Sequence, residues 1–366
     1  MNDLNLIAPL NQLGYGQVGR AVLRELSRRG VRVAWWHPAG PYSPAQLHSQ
    51  GDILEEDREV VERCWEQSRS FSPFAPSVRI WHPHDMALFP GRGKRWGWPI
   101  FELDQFTPLE RHHLGQLDGL LVCSRWARGV VREHFAGIPC GVVPLGVDRQ
   151  VFAFSPPLPG PTIFLTVGKW EVRKGHDVLC RVFDEAFGPQ DEVRLILICS
   201  NPFLRPTQQK QWEDYYRYSP LGEKIEIVSE RFPTQRELAR KMTEADCGIF
   251  LSRAEGWNLE ALEMLALGRS VIATDCTAHT EFLTSENALL IPMGEKEPAQ
   301  DGMWFSGQGS WYEFGPEQMD RAVEYVRQVH QRKQSGEQLV NTGGLQTAEA
   351  FSWSSTVDRL MEVVGC

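Results

Sequence analysis

The run Cys247-Gly248-Ile249-Phe250-Leu251 is continuously apolar, as a strand buried on both faces of a sheet must be, and it delivers into the polar turn Ser252-Arg253-Ala254-Glu255-Gly256-Trp257. A helix read from near Asn258 to Gly268 follows, and then a second apolar strand from Ser270 to Ala273. That order confines the chain to an α/β architecture with a turn at the carboxyl end of a parallel strand, the place where such sheets hold ligands. The start of the helix leaves the backbone N–H groups of Gly256, Trp257 and Asn258 without intrahelical partners, and the helix dipole favours negative charge there, so the turn suits a phosphate. Glycine at 256 lets a ligand approach the main chain closely.

Two carboxylates frame this turn, Glu255 within it and Glu263 in the helix, with the spacing E-x7-E. Ionised glutamate accepts two hydrogen bonds and a sugar diol donates two, so a carboxylate beside a phosphate site points to hydroxyls. Phosphate with diols describes a nucleotide sugar. The plainer alternative is a capping Glu255 and a solvated Glu263. A second segment, Thr162 to Gly175, reads as a central strand to Val167, a tight exit at Gly168, and a loop entering a helix from about Gly175 to Phe187. Departure of a nucleoside diphosphate builds negative charge on the leaving oxygen, and fixed cations stabilise it where it forms. Lys169 and Lys174 are the candidates, with Arg173 as a third; loop cations are otherwise ordinary solvated surface.

A chain of 366 residues exceeds the size at which one core usually splits, so two domains are expected. Hydrophobic residues at 42% supply core for both, and no apolar run reaches the roughly 18 residues that span a bilayer. Met1-Asn2-Asp3 is acidic and Leu4 to Ala8 is a short strand followed by polar loop, which is not the pattern of a secretory leader. The cysteines are scattered without a C-x-x-C pair, which fits reduced thiols and a cytoplasmic location. Prolines 156, 157, 159 and 161 deny regular structure near residue 155 and mark a linker. Before it, strands near 4–8, 31–36, 78–82, 98–102, 120–123 and 140–143 alternate with helices such as 17–29 and 124–134. After it, strands near 162–167, 193–199, 225–228, 247–251, 270–273 and 288–291 do the same, and helices near 316–334 and 345–363 close the chain. The expectation is two doubly wound parallel sheets, with the site in the cleft between them.

The segments 162–175 and 247–275 resemble the retaining glycosyltransferases of family 4, which have the GT-B fold of two Rossmann-like domains facing a cleft. The likeness lies in the strand, Ser, Glu-Gly-aromatic, Leu, second Glu, Gly and apolar strand of the donor turn, and in the basic pair after the earlier strand. Asn258 stands where the family most often has Gly, and Glu260 where it often has Pro. The resemblance implies transfer of a hexose from a UDP- or GDP-sugar to an acceptor hydroxyl with retention, no cofactor, and no metal. It implies an acceptor-binding domain over 1–155, a donor-binding domain over 156–345, and a last helix, 346–366, crossing back to the first domain. In the donor domain Glu255 binds the sugar and Glu263 the ribose.

Leu13-Gly14-Tyr15-Gly16 sits between the first strand and its helix, so Gly14 and Gly16 give a backbone that can lie close to a ligand. It lacks G-x-G-x-x-G and the acidic residue about 20 positions on, which disfavours a nicotinamide cofactor. The resemblance puts this loop near the donor phosphates and the acceptor. It also implies sugar contacts at two strand ends, from His84 and Asp85 in Trp81-His82-Pro83-His84-Asp85 and from Glu102 and Asp104, one of which assists proton removal. His82, His84 and Asp85 are alternatively a partial metal set, although no third ligand motif is evident. No Asp-x-Asp occurs, so a metal-bound diphosphate of the other main transferase fold is not supported.

Residues 1–155 carry 17 Lys and Arg against 16 Asp and Glu, a balance of +1, so the overall −9 leaves −10 in the remainder. Seven of those acids fall between Asp52 and Glu66, read as one solvated helix, and the rest of the first half is basic. Gly91-Arg92-Gly93-Lys94-Arg95-Trp96-Gly97-Trp98 interleaves cations with indoles, a mixture suited to a phosphate backbone with stacked bases or to a lipid headgroup interface, or simply a flexible basic loop. Phe101 to Glu110 and Ser124-Arg125-Trp126-Ala127 look like a subgroup of family 4 common in bacteriophage genomes. The expected acceptor is therefore anionic and hydroxylated. A bacterial envelope glycan or glycolipid, with peripheral contact at the inner membrane, comes first, and a hydroxymethylated pyrimidine in phage DNA, modified in the host cytoplasm, is the alternative. A binding protein that keeps the pocket without transfer is the competing class, and an epimerase or phosphorylase is disfavoured because no Schiff-base lysine context appears.

Overall fold

The structure is a computed structural model and describes residues 3–366. Met1 and Asn2, part of the start read above as no leader, lie outside the described residues. The chain forms two compact units, one running to Gly146 and resuming at Phe351–Cys366, the other Val147–Ala350.

In the first unit, β1 (Asp3–Ile7), β2 (Arg32–Trp36), β3 (Ser77–Ile80), β4 (Arg95–Trp98), β5 (Gly119–Val122) and β6 (Cys140–Val142) form one parallel sheet in the order β2-β1-β3-β4-β5-β6. Their apolar residues are buried because helices cover the sheet's faces, as parallel sheets require. The order reverses between β1 and β3, which makes the carboxyl ends of those strands the switch point. The acidic run 52–66 splits into a short 3-10 turn, Glu55–Asp57, and the helix Arg58–Gln67; Asp57 is buried against Arg20 and Arg24 rather than solvated.

In the second unit, β7 (Thr162–Gly168), β8 (Val193–Cys199), β9 (Ile225–Val228), β10 (Cys247–Phe250), β11 (Ser270–Asp275) and β12 (Leu289–Pro292) form another parallel sheet in the order β12-β11-β10-β7-β8-β9. Here the order reverses between β7 and β10. The core gathers Phe164, Leu195, Leu197, Ile249 and Ile272 from the strands with Val182 and Phe183 from the helix His176–Ala186.

Three elements differ from expectation. β4 ends at Trp98 instead of starting there, because Trp96 and Trp98 are both core residues and Arg95 at its start is satisfied by Asp118 at 3.1 Å. An antiparallel hairpin, β13 (Lys296–Gln300) and β14 (Ser306–Tyr312), follows β12 where no strand is expected. The closing helix after Pro316–Gln334 is two helices, Thr342–Ala350 and Trp353–Val364, because Ser352 caps the second by accepting from Ser355 N–H at 3.1 Å. Among the described residues, no helix is long and apolar enough to cross a membrane. All eight cysteines are free thiols.

Candidate active site

Two loops meet at the switch point of the second unit, 169–175 leaving β7 and 251–258 leaving β10. Arg253 laces them together. Its N–H donates to Arg173 O at 2.7 Å, and its guanidinium donates to Val172 O at 2.6 Å and to both carboxylate oxygens of Asp177 at 2.8 Å. Gly175 permits the approach, since its φ is 75° and a Cβ there would stand 2.2 Å from Leu251 O. Gly168 has a separate use: a Cβ would come within 2.8 Å of Lys174 Cδ, so the glycine makes room for the lysine stem.

Glu255 centres a buried ion cluster. Its Oε2 accepts from Arg173 Nη1 at 2.9 Å, and its Oε1 accepts from Lys174 Nζ at 3.0 Å and from Ser252 Oγ at 2.7 Å. Arg173 Nη2 also reaches Glu171 at 2.8 Å, and Lys169 Nζ lies 2.7 Å from the same carboxylate. Burial pushes both carboxyls up. For Glu255 the charges of Lys174 and Arg173 outweigh it, for Glu171 those of Arg173 and Lys169 do, and both groups are held below the usual carboxylate range. Burial likewise works against charge on Lys174, but Glu255 outweighs it and the ammonium is stabilised. Lys169, Arg173 and Lys174 thus face Glu171 and Glu255, with Glu260 also acting on Lys174.

Glu263 is the opposite case. It is 5% exposed, and its carboxylate makes no hydrogen bond or ion pair with any described residue. Burial first, and then like-charged Glu260 one turn earlier, push its carboxyl well above the usual range. The plain alternatives for the pair are not what is found: Asn258, not Glu255, caps the helix Leu259–Ala266, and Glu263 is largely buried instead of on an open surface.

The departure at Asn258 has a local explanation. Its φ of 89° is left-handed, the conformation glycine takes at no cost and asparagine tolerates best among the rest. Its Oδ1 accepts from Ala261 N–H at 3.1 Å, and its Nδ2 lies 2.8 Å from His279 Nε2. His279 Nδ1 lies 2.8 Å from the carbonyl of Thr274, which can only accept, so Nδ1 carries the proton and Nε2 accepts from Asn258. Burial keeps this imidazole neutral. Thr277, with a φ of 47°, accepts Glu255 N–H on its hydroxyl at 2.8 Å. Gly256 is buried in the turn, and the Trp257 indole packs on Phe282 with centroids 4.9 Å apart, so the main chain is what Trp257 offers a ligand.

This loop pair gathers Lys169, Arg173 and Lys174 with Glu171 and Glu255 at a parallel switch point. Residues 161–302 match the family Glycosyl transferases group 1. The second unit thus carries a group 1 glycosyltransferase domain. No curated protein is similar enough in sequence to match. Among solved structures, sucrose-phosphate synthase (tll1590) from Thermosynechococcus elongatus is similar with a TM-score of 0.69 and 16% identity, over 99% of this chain and 98% of that one. The lipopolysaccharide outer core galactosyltransferase WaaB gives 0.66 and 15%, over 100% and 99%. Anabaena Alr3699/HepE in complex with UDP gives 0.68 and 12%, over 100% of both chains. At these identities the likeness establishes the fold, which is GT-B.

The glycosyltransferase domain holds Glu255, Glu263, Lys169, Arg173, Lys174, Gly168, Gly256, Trp257 and Asn258 on its two loops and the helix that follows. The sequence reading missed Glu171, Ser252, Arg253, Thr277 and His279. Only Glu171 had a signal, its place between the cations of Lys169-Trp170-Glu171-Val172-Arg173-Lys174.

In the first unit, Gly14 and Gly16 form the opening turn of the helix Gly14–Arg28 instead of a loop before it. A Cβ at Gly16 would lie 2.1 Å from Asn11 O, so close backbone packing explains that glycine, whereas Gly14 faces open space. Tyr15 between them joins three candidate segments. Its hydroxyl donates to Ile100 O at 2.6 Å and accepts from Ile100 N–H at 3.0 Å, and its ring lies 4.7 Å from that of His82. His82 and His84 are exposed and stacked, with centroids 5.5 Å apart. Glu102 and Asp104 follow on the segment Tyr15 tethers, and His134 Nε2 lies 3.1 Å from Asp104 O. The Asp85 carboxylate pairs with buried Arg79 at 2.9 Å. Among the described residues, no group of three or more His, Cys, Asp or Glu is gathered to hold a metal ion.

The loop 91–98 differs from expectation in its indoles. Trp96 and Trp98 are buried, Trp96 lying where a Cβ on Gly119 would come within 2.2 Å of its ring, so neither indole is available to stack a base or enter a headgroup region. Arg92 and Lys94 remain exposed.

Proposed function

We propose that this protein is a retaining glycosyltransferase that moves a hexose from a UDP- or GDP-sugar to an acceptor hydroxyl. The observation that carries the reading is Glu263, a nearly buried carboxyl with no partner among the described residues, on the helix that follows the Glu255 turn. Such a group costs stability unless hydroxyls arrive to donate to it, and a ribose diol beside a diphosphate does so. Lys169 and Lys174 neutralise the diphosphate, with Arg173 holding Glu255 in place. The main chain of Gly256, Trp257 and Asn258 meets the phosphate, and Glu255 meets the sugar. HepE, a structural neighbour, is described in complex with UDP-glucose, which supports this donor class.

In the reaction the bond from the anomeric carbon to the phosphate oxygen breaks, its electron pair leaves with the diphosphate, and the acceptor oxygen bonds the carbon from the same face. The acceptor proton passes to a base. Cationic side chains perform the charge neutralisation, so the reaction needs no metal. The acceptor is an anionic envelope glycan or glycolipid reached at the cytoplasmic face of the inner membrane. Burial of Trp96 and Trp98 weakens the modified-DNA alternative, because base stacking is what single-strand recognition uses.

The test is incubation with UDP- and GDP-hexoses and NMR of the product, with retention of anomeric configuration expected. Release of nucleotide with no acceptor already separates an enzyme from a pocket that only binds. Glu263→Gln should weaken donor binding about tenfold or more, the scale of a hydrogen bond to a charged group. An unchanged donor dissociation constant rejects the ribose role. Sugar added to hydroxymethylated oligonucleotides but to no glycan or lipid would replace the proposed acceptor.

A further inference from the structure

The hairpin β13–β14 ends in a tip built to hold an exposed indole. Asp301 Oδ1 accepts main-chain N–H bonds from Met303 at 2.9 Å, Trp304 at 2.8 Å and Phe305 at 2.9 Å, and Gln308 Nε2 donates to Trp304 O at 3.0 Å. The hairpin's base is fastened to the loop that carries Glu255, since Tyr312 N–H donates to Arg253 O at 3.1 Å. Trp304 nevertheless stays 45% exposed, edge to face with Phe203, itself 55% exposed, with centroids 5.6 Å apart. Lys169 Nζ stands 5.8 Å from the centre of the Phe203 ring. A half-exposed indole on a tip ordered by four hydrogen bonds adds little to a core. It is well suited to recognition, because a rigid aromatic surface binds a ring without first having to be ordered.

We propose that Trp304 and Phe203 form an acceptor subsite that stacks a saccharide ring beside Lys169. The inference rests on the retaining-transfer reading. With retention the acceptor hydroxyl enters on the face of the anomeric carbon from which the phosphate leaves, so the cation at the leaving phosphate also borders the acceptor's path. Lys169 is 38% exposed and ties the two together: it pairs with Glu171 on one side and faces Phe203 on the other. The C–H groups on one face of a pyranose ring match the electron-rich face of an indole.

The experiment uses the full chain labelled with 5-fluorotryptophan, with the Trp304 resonance assigned by its loss in Trp304→Phe. The probes are the methyl glycosides of glucose, galactose, mannose and N-acetylglucosamine, and, separately, UDP and UDP-glucose. At least one glycoside should move the Trp304 resonance while UDP leaves it in place. For that glycoside, Trp304→Ala should raise the acceptor KM about tenfold, the equivalent of 1.4 kcal/mol, with donor affinity unchanged and Trp304→Phe restoring most of the loss. No response to any glycoside overturns the proposal, and a response to UDP alone reassigns the platform to the donor base and overturns it equally. Failure of the transferase reading is distinct, since it shows as no binding or turnover of any nucleotide sugar, whatever Trp304 does.

Discussion

Asn258 and Thr277 hold main-chain conformations that most side chains avoid, and both bear on the carboxylates of the donor turn. For Asn258 the cost is offset by its cap on Ala261. Replacement by glycine keeps the conformation and should cost a few tenths of a kcal/mol, whereas Asn258→Ala loses the cap and adds left-handed strain, about 2 kcal/mol together. Thermal unfolding of the two variants decides this, and equal melting temperatures would show the φ to be irrelevant. Glu263 makes a pH prediction. Its carboxyl is raised, so the stability of its neutral form is full below the unfolded value and is lost as pH rises through the folded one. Donor binding runs the other way, because ribose hydroxyls favour the ionised acceptor and a proton is released. Affinity for a UDP-sugar should therefore climb with pH from the ordinary carboxylate range to the raised value, and the slope should vanish in Glu263→Gln. Calorimetry in buffers of different ionisation enthalpy measures it, and a slope that survives the substitution contradicts the role. Glu255 is held low, so what it contributes is lost only in acid and adds no slope near neutrality. The spacing of Glu255 and Glu263 was legible in the sequence; Thr277 and His279 were not, because their partners lie some twenty residues away across a fold that spacing does not reveal.

At the scale of elements, the site depends on how tightly the loop after β7 lies on the loop after β10. Gly175 sets that distance, and a methyl group there meets backbone instead of a side chain that could swing aside. Gly175→Ala should therefore destabilise the second unit by about 1–3 kcal/mol and weaken donor binding together, through loss of the Arg253 to Arg173 bond. Chemical denaturation and donor titration on one preparation check it, and a stable variant with intact affinity would mean the loops are held some other way. The parallel strands of both sheets were readable as apolar runs. The hairpin was not, because Lys296-Glu297-Pro298-Ala299-Gln300 shows no clear alternation and contains a proline; Trp311 packing and the Arg253 carbonyl make it a strand. β4 was displaced for the converse reason, since its indoles read as surface features beside Arg92, Lys94 and Arg95 until burial accounted for them.

Across the whole molecule, two sheets of the same winding each put candidate residues at their own switch point, Gly14, Gly16 and His84 after β1 and β3 in the first unit and Lys169 and Glu255 after β7 and β10 in the second, while Glu102 and Asp104 follow β4. Excess acidity resides in the second half of the chain, yet the loops after β7 and β10 gather Lys169, Arg173 and Lys174, so the proposed attraction for a diphosphate rests on local side chains and not on net charge. Titration of UDP-glucose and GDP-mannose into the wild type and into Lys169→Ala by calorimetry tests that claim most directly. Lys169 is exposed enough to be removed without opening the core. One of the two nucleotide sugars should bind the wild type, and about tenfold or more of that affinity should be lost in the variant. Binding of neither, or equal affinity for both proteins, would contradict the assignment of this pocket to an activated sugar.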